Sequence, residues 1–279
     1  MLSFKHISLN KLLTWLMGKL ASSNNLLIKN ILIKGFIAIY KPDLADVKYQ
    51  DLKKFSTYNE FFVRELSSGA RPICKEENII TSPVDGTIVD FGEIKNGSLI
   101  QAKTIQYSLS ELLGCQELAE KFFEGFFVTI YLAPTDYHRI HCPFEGEIIL
   151  TDHFGLDLFS VNASAQTSIS SLYIKNERSV MVIGSEKIQY GLVSVGASIV
   201  GSIVPFWLEN DDGKRSSLIK AWKNGPKEDV KNLKKGQEIA HFRMGSTVIL
   251  LMPSANKLNI NSLYENKTVK FGEKLVELT

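Results

Sequence analysis

Three separated stretches hold the side chains of a nucleophile, a base and an acid that orients the base. Ser246 stands in "AHFRMGSTVILLMP", His138 and His141 in "YLAPTDYHRIHCPFEG", and Asp85 in "TSPVDGTI". A serine hydroxyl attacks a carbonyl only after a base takes its proton. His141 can be that base and Asp85 can hold it, in the triad logic that recurs on unrelated folds, here in the chain order Asp, His, Ser. Spacing alone does not put the three within hydrogen-bond reach. Asp85 also suits a plain Pro-x-Asp-Gly turn, and Gly245-Ser246 suits a turn into a strand. No GxSxG elbow is present, which argues against an α/β-hydrolase. Cys142 follows His141 directly, so zinc must be weighed. The spacing is not that of a zinc site and no second ligand cluster is evident, so no metal is expected.

The elements that must position these residues are legible in part. At 279 residues and 44% hydrophobic, the chain can bury a sizeable core. A net charge of +2 gives no reason to expect a nucleic-acid partner. Cys74, Cys115 and Cys142 are odd in number and scattered, which fits reduced thiols and not a disulfide framework. No apolar run is long enough for a spanning helix, and Leu12–Gly18 is too short and too poorly flanked for a signal peptide.

The first 42 residues contain no Asp or Glu, and carry Lys5, Lys11, Lys19, Lys29, Lys34 and Lys41 among leucines and isoleucines. Leu9, Leu12, Leu13, Leu16, Met17 and Leu20 recur at helical spacing. After a break at Ser22–Asn25, a second helix is expected over Leu26–Tyr40. Residues 1–45 therefore read as a basic helical region able to dock on an anionic membrane, with lysines meeting headgroups. The alternatives are a hairpin packed on its own domain or a contact between copies of the chain. Pro42 ends the helical stretch. Thr57 and Glu60 form a capping box before a short helix.

From about Ile79 the texture is β. "TIVDF", "FFVTIYLA", "EGEIILT", "SVMVIG", "KIQYGLVSVGASIVGSIVP" and "STVILLM" read as strands. Gly191, Gly196 and Gly201 recur within one of them, as at bulges or close backbone approaches. The fold class is α+β: a helical N-terminal region, then a β-rich, sandwich- or barrel-like domain over 46–279.

These stretches, in this order, resemble the phosphatidylserine decarboxylase family of the bacterial, pyruvoyl-dependent kind. "NEFFVRELSSGARPI", "LIQAKTIQYSLSELLG", "DLFSVN", "KNER", "VGASIVGSI" and "KGQEIAHFRMGST" are similar to family segments, covering about residues 45–255. The resemblance implies that the serine of a Leu-Gly-Ser-Thr motif becomes a pyruvoyl group. Here the motif is Met244-Gly245-Ser246-Thr247, with Met for Leu, a swap of similar volume.

The implied maturation has His141, held by Asp85, take the proton of Ser246. The hydroxyl attacks the Gly245 carbonyl, and an ester replaces the peptide bond. β-Elimination frees a chain 1–245, and hydrolysis of the remaining dehydroalanine gives pyruvoyl and ammonia. The chain 246–279 stays with it as a heterodimer. In turnover the substrate amine forms a Schiff base at position 246, CO2 leaves, and phosphatidylethanolamine is released. His138 is implied to assist decarboxylation or protonation. A peripheral place on the cytoplasmic face of the cell membrane follows from a lipid substrate. Two rival readings remain at this point: a serine hydrolase using Asp85, His141 and Ser246, and a non-enzymatic membrane-binding β-domain.

Overall fold

The computed structural model describes residues 16–101, 105–155, 157–197, 202–209, 211, 213–243, 246–254 and 257–279. Leu9 to Leu13, Gly201, Met244 and Gly245 lie outside the described residues.

A helix over residues 16–21 (α1) turns into α2 (Leu26–Tyr40). Asn25 starts α2 by accepting the Leu27 and Ile28 N–H groups on its side chain, and Lys41 ends it in the left-handed region at φ 49°. The helix buries Lys29, Ile33 and Phe36. Ile33 and Phe36 join Phe61 and Phe62 of α3 (Tyr58–Phe62) in a small aromatic core. Thr57 caps α3 through the Glu60 N–H, and the Glu60 carboxylate returns to the Ser56 N–H. Lys29 departs from the expectation for the basic helices. It is 2% exposed and donates to the Phe55 carbonyl at 2.8 Å, so it binds its own domain and not headgroups.

The β region begins with β1 (Ile79–Thr81), β2 (Gly86–Glu93) and the hairpin β3 (Ser98–Gln101) and β4 (Ile105–Ser108). Two short helices, α4 (Leu109–Leu113) and α5 (Gln116–Glu120), lead into β5 (Phe126–Leu132), β6 (Arg139–His141) and β7 (Gly146–Phe154). After α6 (Ala163–Ser168) and α7 (Leu172–Lys175) come β8 (Arg178–Gly184), β9 (Gln189–Gly196) and β10 (Ile203–Pro205). The stretch 187–205 is thus two strands in two sheets, not one. Helix α8 (Arg215–Asn224) precedes β11 (Asn232–Leu233), β12 (Glu238–Phe242) and β13 (Ser246–Met252). β14 (Leu258–Asn259), β15 (Thr268–Val269) and β16 (Lys274–Leu278) complete the chain.

The main sheet is antiparallel, in the order β11-β7-β8-β9-β13-β5-β2-β15, and open, without barrel closure. β13 lies inside it, with Ser246 opposite Leu132 of β5 on one side and Gly196 of β9 on the other. Every residue of β13 is buried, which is why its sequence reads as an unbroken apolar run. Val248, Leu250 and Met252 face one core, together with Trp222 of α8 and the small sheets β10-β12-β6 and β1-β16-β14. Ile249 and Leu251 face the other, under α4, α5 and α7. The result is α+β and sandwich-like, as expected.

Gly86 opens β2 directly after Asp85. A Cβ there would sit 2.5 Å from the Tyr131 carbonyl oxygen and 2.9 Å from an Ile130 methyl. Backbone cannot yield as a side-chain tip can. Gly86→Ala is expected to lose about 1–3 kcal/mol of stability, read as a lower urea midpoint.

Candidate active site

Asp85 is fixed by three donors. Its carboxylate accepts Arg71 Nη2 at 2.7 Å and Nε at 3.0 Å, and the Phe271 N–H at 2.9 Å. Arg71 also binds Asp46 at 2.7 Å. Asp85 is buried, so this pairing offsets the cost of taking a carboxylate out of water. Arg71 escaped the sequence reading as a site residue, although it lies in the quoted "SSGARPI".

His141 is stacked flat on the Phe271 ring, 3.8 Å between centroids and 5° between planes. Its Nδ1 lies 2.9 Å from the Gly236 carbonyl, which can only accept, so Nδ1 carries the proton. Nε2 is left as a lone pair 3.3 Å from the Tyr137 hydroxyl. Burial lowers the pKa of His141, against the opposing pull of the Gly236 bond. Asp85 therefore does not hydrogen-bond His141. It reaches His141 through the Phe271 backbone and through its own turn, whose Pro83 carbonyl accepts the His141 N–H at 2.8 Å. The orienting acceptor on the ring is Gly236.

His138 is fully buried. Its Nδ1 donates to the Asp136 carbonyl at 2.8 Å, and its Nε2 has no partner among the described residues. Burial pushes its pKa down to about 3, with Arg64 adding to the effect. The imidazole is neutral at physiological pH and offers a lone pair. Its ring packs on Phe62 at 4.3 Å, and Phe62 in turn on Phe36 of α2 at 5.9 Å.

Ser246 is 0% exposed, and its Oγ has no hydrogen-bond partner among the described residues. It sits at the head of β13, beside Leu132 at the end of β5. The His138 carbonyl accepts the N–H of Phe242, four residues before Ser246. The fold thus gathers Ser246 and His138 at one end of the sheet, each with an unused polar atom. Unsatisfied buried groups are costly, so these two atoms are candidates for reactive groups. Cys142 points elsewhere, with Sγ 3.0 Å from the Phe144 carbonyl and 3.4 Å from the Tyr190 hydroxyl, and burial raises its pKa to about 11.

The sequence profile described as phosphatidylserine decarboxylase matches residues 58–277. The chain belongs to this family. A second profile, described as PSD, matches residues 10–41. Among curated relatives, the phosphatidylserine decarboxylase proenzyme of Vibrio parahaemolyticus is 44% identical over 242 residues, covering 86% of this chain and 85% of the relative. That of Aliivibrio salmonicida is 41% identical, covering 91% and 89%. That of Photobacterium profundum is 38% identical, covering 95% and 92%.

A buried neutral histidine makes stability depend on pH. The folded pKa of His138, about 3, lies below its ordinary 6.5. Its contribution is complete above the unfolded value and is lost as pH falls towards the folded one, by up to about 1.4 kcal/mol per pH unit. Between pH 7 and pH 4 the parent protein should lose about 3 kcal/mol more than His138→Gln, measured by denaturant unfolding at each pH.

Proposed function

We propose that this chain converts phosphatidylserine to phosphatidylethanolamine and CO2, after cutting itself between Gly245 and Ser246. Membership of the family and the proenzyme relatives support the reaction class. The observation that carries the assignment to Ser246 is its completely buried, partnerless Oγ at the head of an internal strand. Self-cleavage needs no foreign molecule at that oxygen, so its 0% exposure suits the maturation step, and the proenzyme relatives do not favour a serine hydrolase. A pyruvoyl group at residue 246 supplies an electron sink for the pair left behind when CO2 departs. The residues present suit such a group: the position is shielded from water, and Gly196 across the strand pair brings no side chain against it.

His141 acts as the base of self-cleavage through its Nε2 lone pair. Asp85 acts on it indirectly, by holding the Phe271 backbone whose ring lies under the imidazole. His138, with its free Nε2, serves the decarboxylation or protonation step. The segment 246–279 remains bound after cleavage because it supplies β13, β14, β15 and β16 to sheets completed by the rest of the chain.

Intact mass tests the proposal. The parent protein should give a fragment starting at residue 246, lighter than the serine-started peptide by one ammonia, and Ser246→Ala should stay whole. His141→Ala and Asp85→Asn should accumulate uncleaved chain, whereas His138→Ala should mature but lose turnover. Normal processing in the His141 or Asp85 variant would remove that residue from the scheme.

The same reading places α2 on an anionic bilayer, at the cytoplasmic face of the cell membrane. No described helix is long and apolar enough to cross a membrane. Leu27, Ile31 and Ile39 are 73%, 70% and 74% exposed along one side of α2. Lys34 and Lys41 are exposed on the same helix end. Apolar side chains enter the interface while nearby lysines meet headgroups. Replacing Leu27, Ile31 and Ile39 together by Glu should abolish sedimentation with phosphatidylglycerol-containing vesicles, while leaving the self-cleaved mass intact. Removing residues 1–40 is the poorer test, because Ile33 and Phe36 belong to the aromatic core.

A further inference from the structure

A second polar cluster lies on the same sheet face as Ser246. Glu177, 1% exposed, has one carboxylate oxygen 3.0 Å from His153 Nε2 and the other 2.8 Å from Arg215 Nη2. His153 is itself tied to Ser179 Oγ through Nδ1 at 3.1 Å. The register fixes where this cluster stands. Ser179 pairs with Ser194, and Ser194 with Val248, so all three point to the same face. Two residues along, the Gly196 N–H donates to the Glu177 carbonyl at 2.8 Å, and Gly196 pairs with Ser246. Glu177, Gly196 and Ser246 therefore form one cross-strand row, with no side chain on the middle member.

Two strand spacings put the Glu177 and Ser246 backbones about 10 Å apart. A serine phospholipid headgroup attached through its amine at residue 246 has its phosphorus four bonds beyond the nitrogen. At about 1.5 Å per bond, its phosphate oxygens fall about 6–7 Å from the attachment point. Laid over Gly196, they would extend along this row towards the guanidinium beside Glu177. Glu177 alone would repel them. Arg215 is 41% exposed, so it is open to an entering ligand. A guanidinium drawn to Glu177 by charge presents a planar fork of donors that suits a phosphodiester.

We propose that Arg215 recognises the phosphodiester of the substrate headgroup, and that Glu177, braced by His153, is the positioning residue that aims it. This inference rests on the decarboxylase reading. The test uses the matured protein and two water-soluble amines, glycerophosphoserine and O-methylserine. Both carry the amine and the carboxylate, and only the first carries a phosphate. Each is fixed on the C-terminal chain with cyanoborohydride, and the adducts are counted by mass.

The parent protein should favour the phosphate-bearing amine. The ratio of the two adducts should fall about tenfold in Arg215→Gln, consistent with loss of a charge-assisted contact. It should fall less in Arg215→Lys, and Glu177→Gln should lower it in the same direction. An unchanged ratio in Arg215→Gln would overturn the proposal. The cluster would then be an anchor for α8, or Arg215 would serve the carboxylate that both amines share. A parent protein with an intact Ser246 and no amine adduct would instead overturn the decarboxylase reading, and this proposal with it.

Discussion

The arrangement depends on β13 being paired on both edges and covered on both faces. Backbone groups along Ser246–Met252 are engaged by β5 and β9, and their side chains divide between two cores. Neither edge of such a strand is free to slip, since a one-residue shift would exchange the faces of every side chain. Ser246 inherits this rigidity as the first residue of the strand. Its environment is also dry, which strengthens whatever electrostatic influence nearby groups exert on it.

Charge in the candidate site is closely managed. Asp85 is matched by Arg71, and Arg71 shares Asp46. The two histidines direct their Nδ1 protons to backbone carbonyls, Asp136 for His138 and Gly236 for His141. A carbonyl fixes a tautomer without adding a formal charge, so both imidazoles can stay neutral and present Nε2 as a base. A carboxylate at either Nδ1 would favour the imidazolium instead. The difference between the histidines lies at Nε2, which meets a tyrosine hydroxyl in His141 and no hydrogen-bond partner among the described residues in His138.

Much of this was legible in the chain. "STVILLM" coincides with β13 because double-faced burial leaves an unmistakable apolar run, and Thr57–Glu60 marks a helix start because capping is local. The family resemblance singled out Asp85, His138, His141 and Ser246, all four of which are buried, and the turn holding Asp85 meets the His141 backbone through the Pro83 carbonyl. What escaped the sequence is long-range. The acceptor for His141 is a backbone carbonyl 95 positions away, which no side-chain pattern encodes. Arg71 reaches Asp85 across a turn, and Lys29 satisfies a carbonyl of a neighbouring loop, so its charge misled a count of lysines. The glycine-studded stretch 187–205 reads as one strand by composition, yet it is shared between two sheets. The short helices α4 to α7 are too brief for periodicity to reveal them.

The rings of Phe36, Phe62 and His138 form a continuous chain of edge-on and tilted contacts from α2 towards the end of the main sheet. Aromatic packing of this kind leaves little room for sliding. Whatever surface the outer side of α2 rests upon is thus held at a set height above His138. If that surface is a bilayer, height becomes a selection rule: it fixes how far a headgroup must rise, and so how much of each acyl chain must follow it.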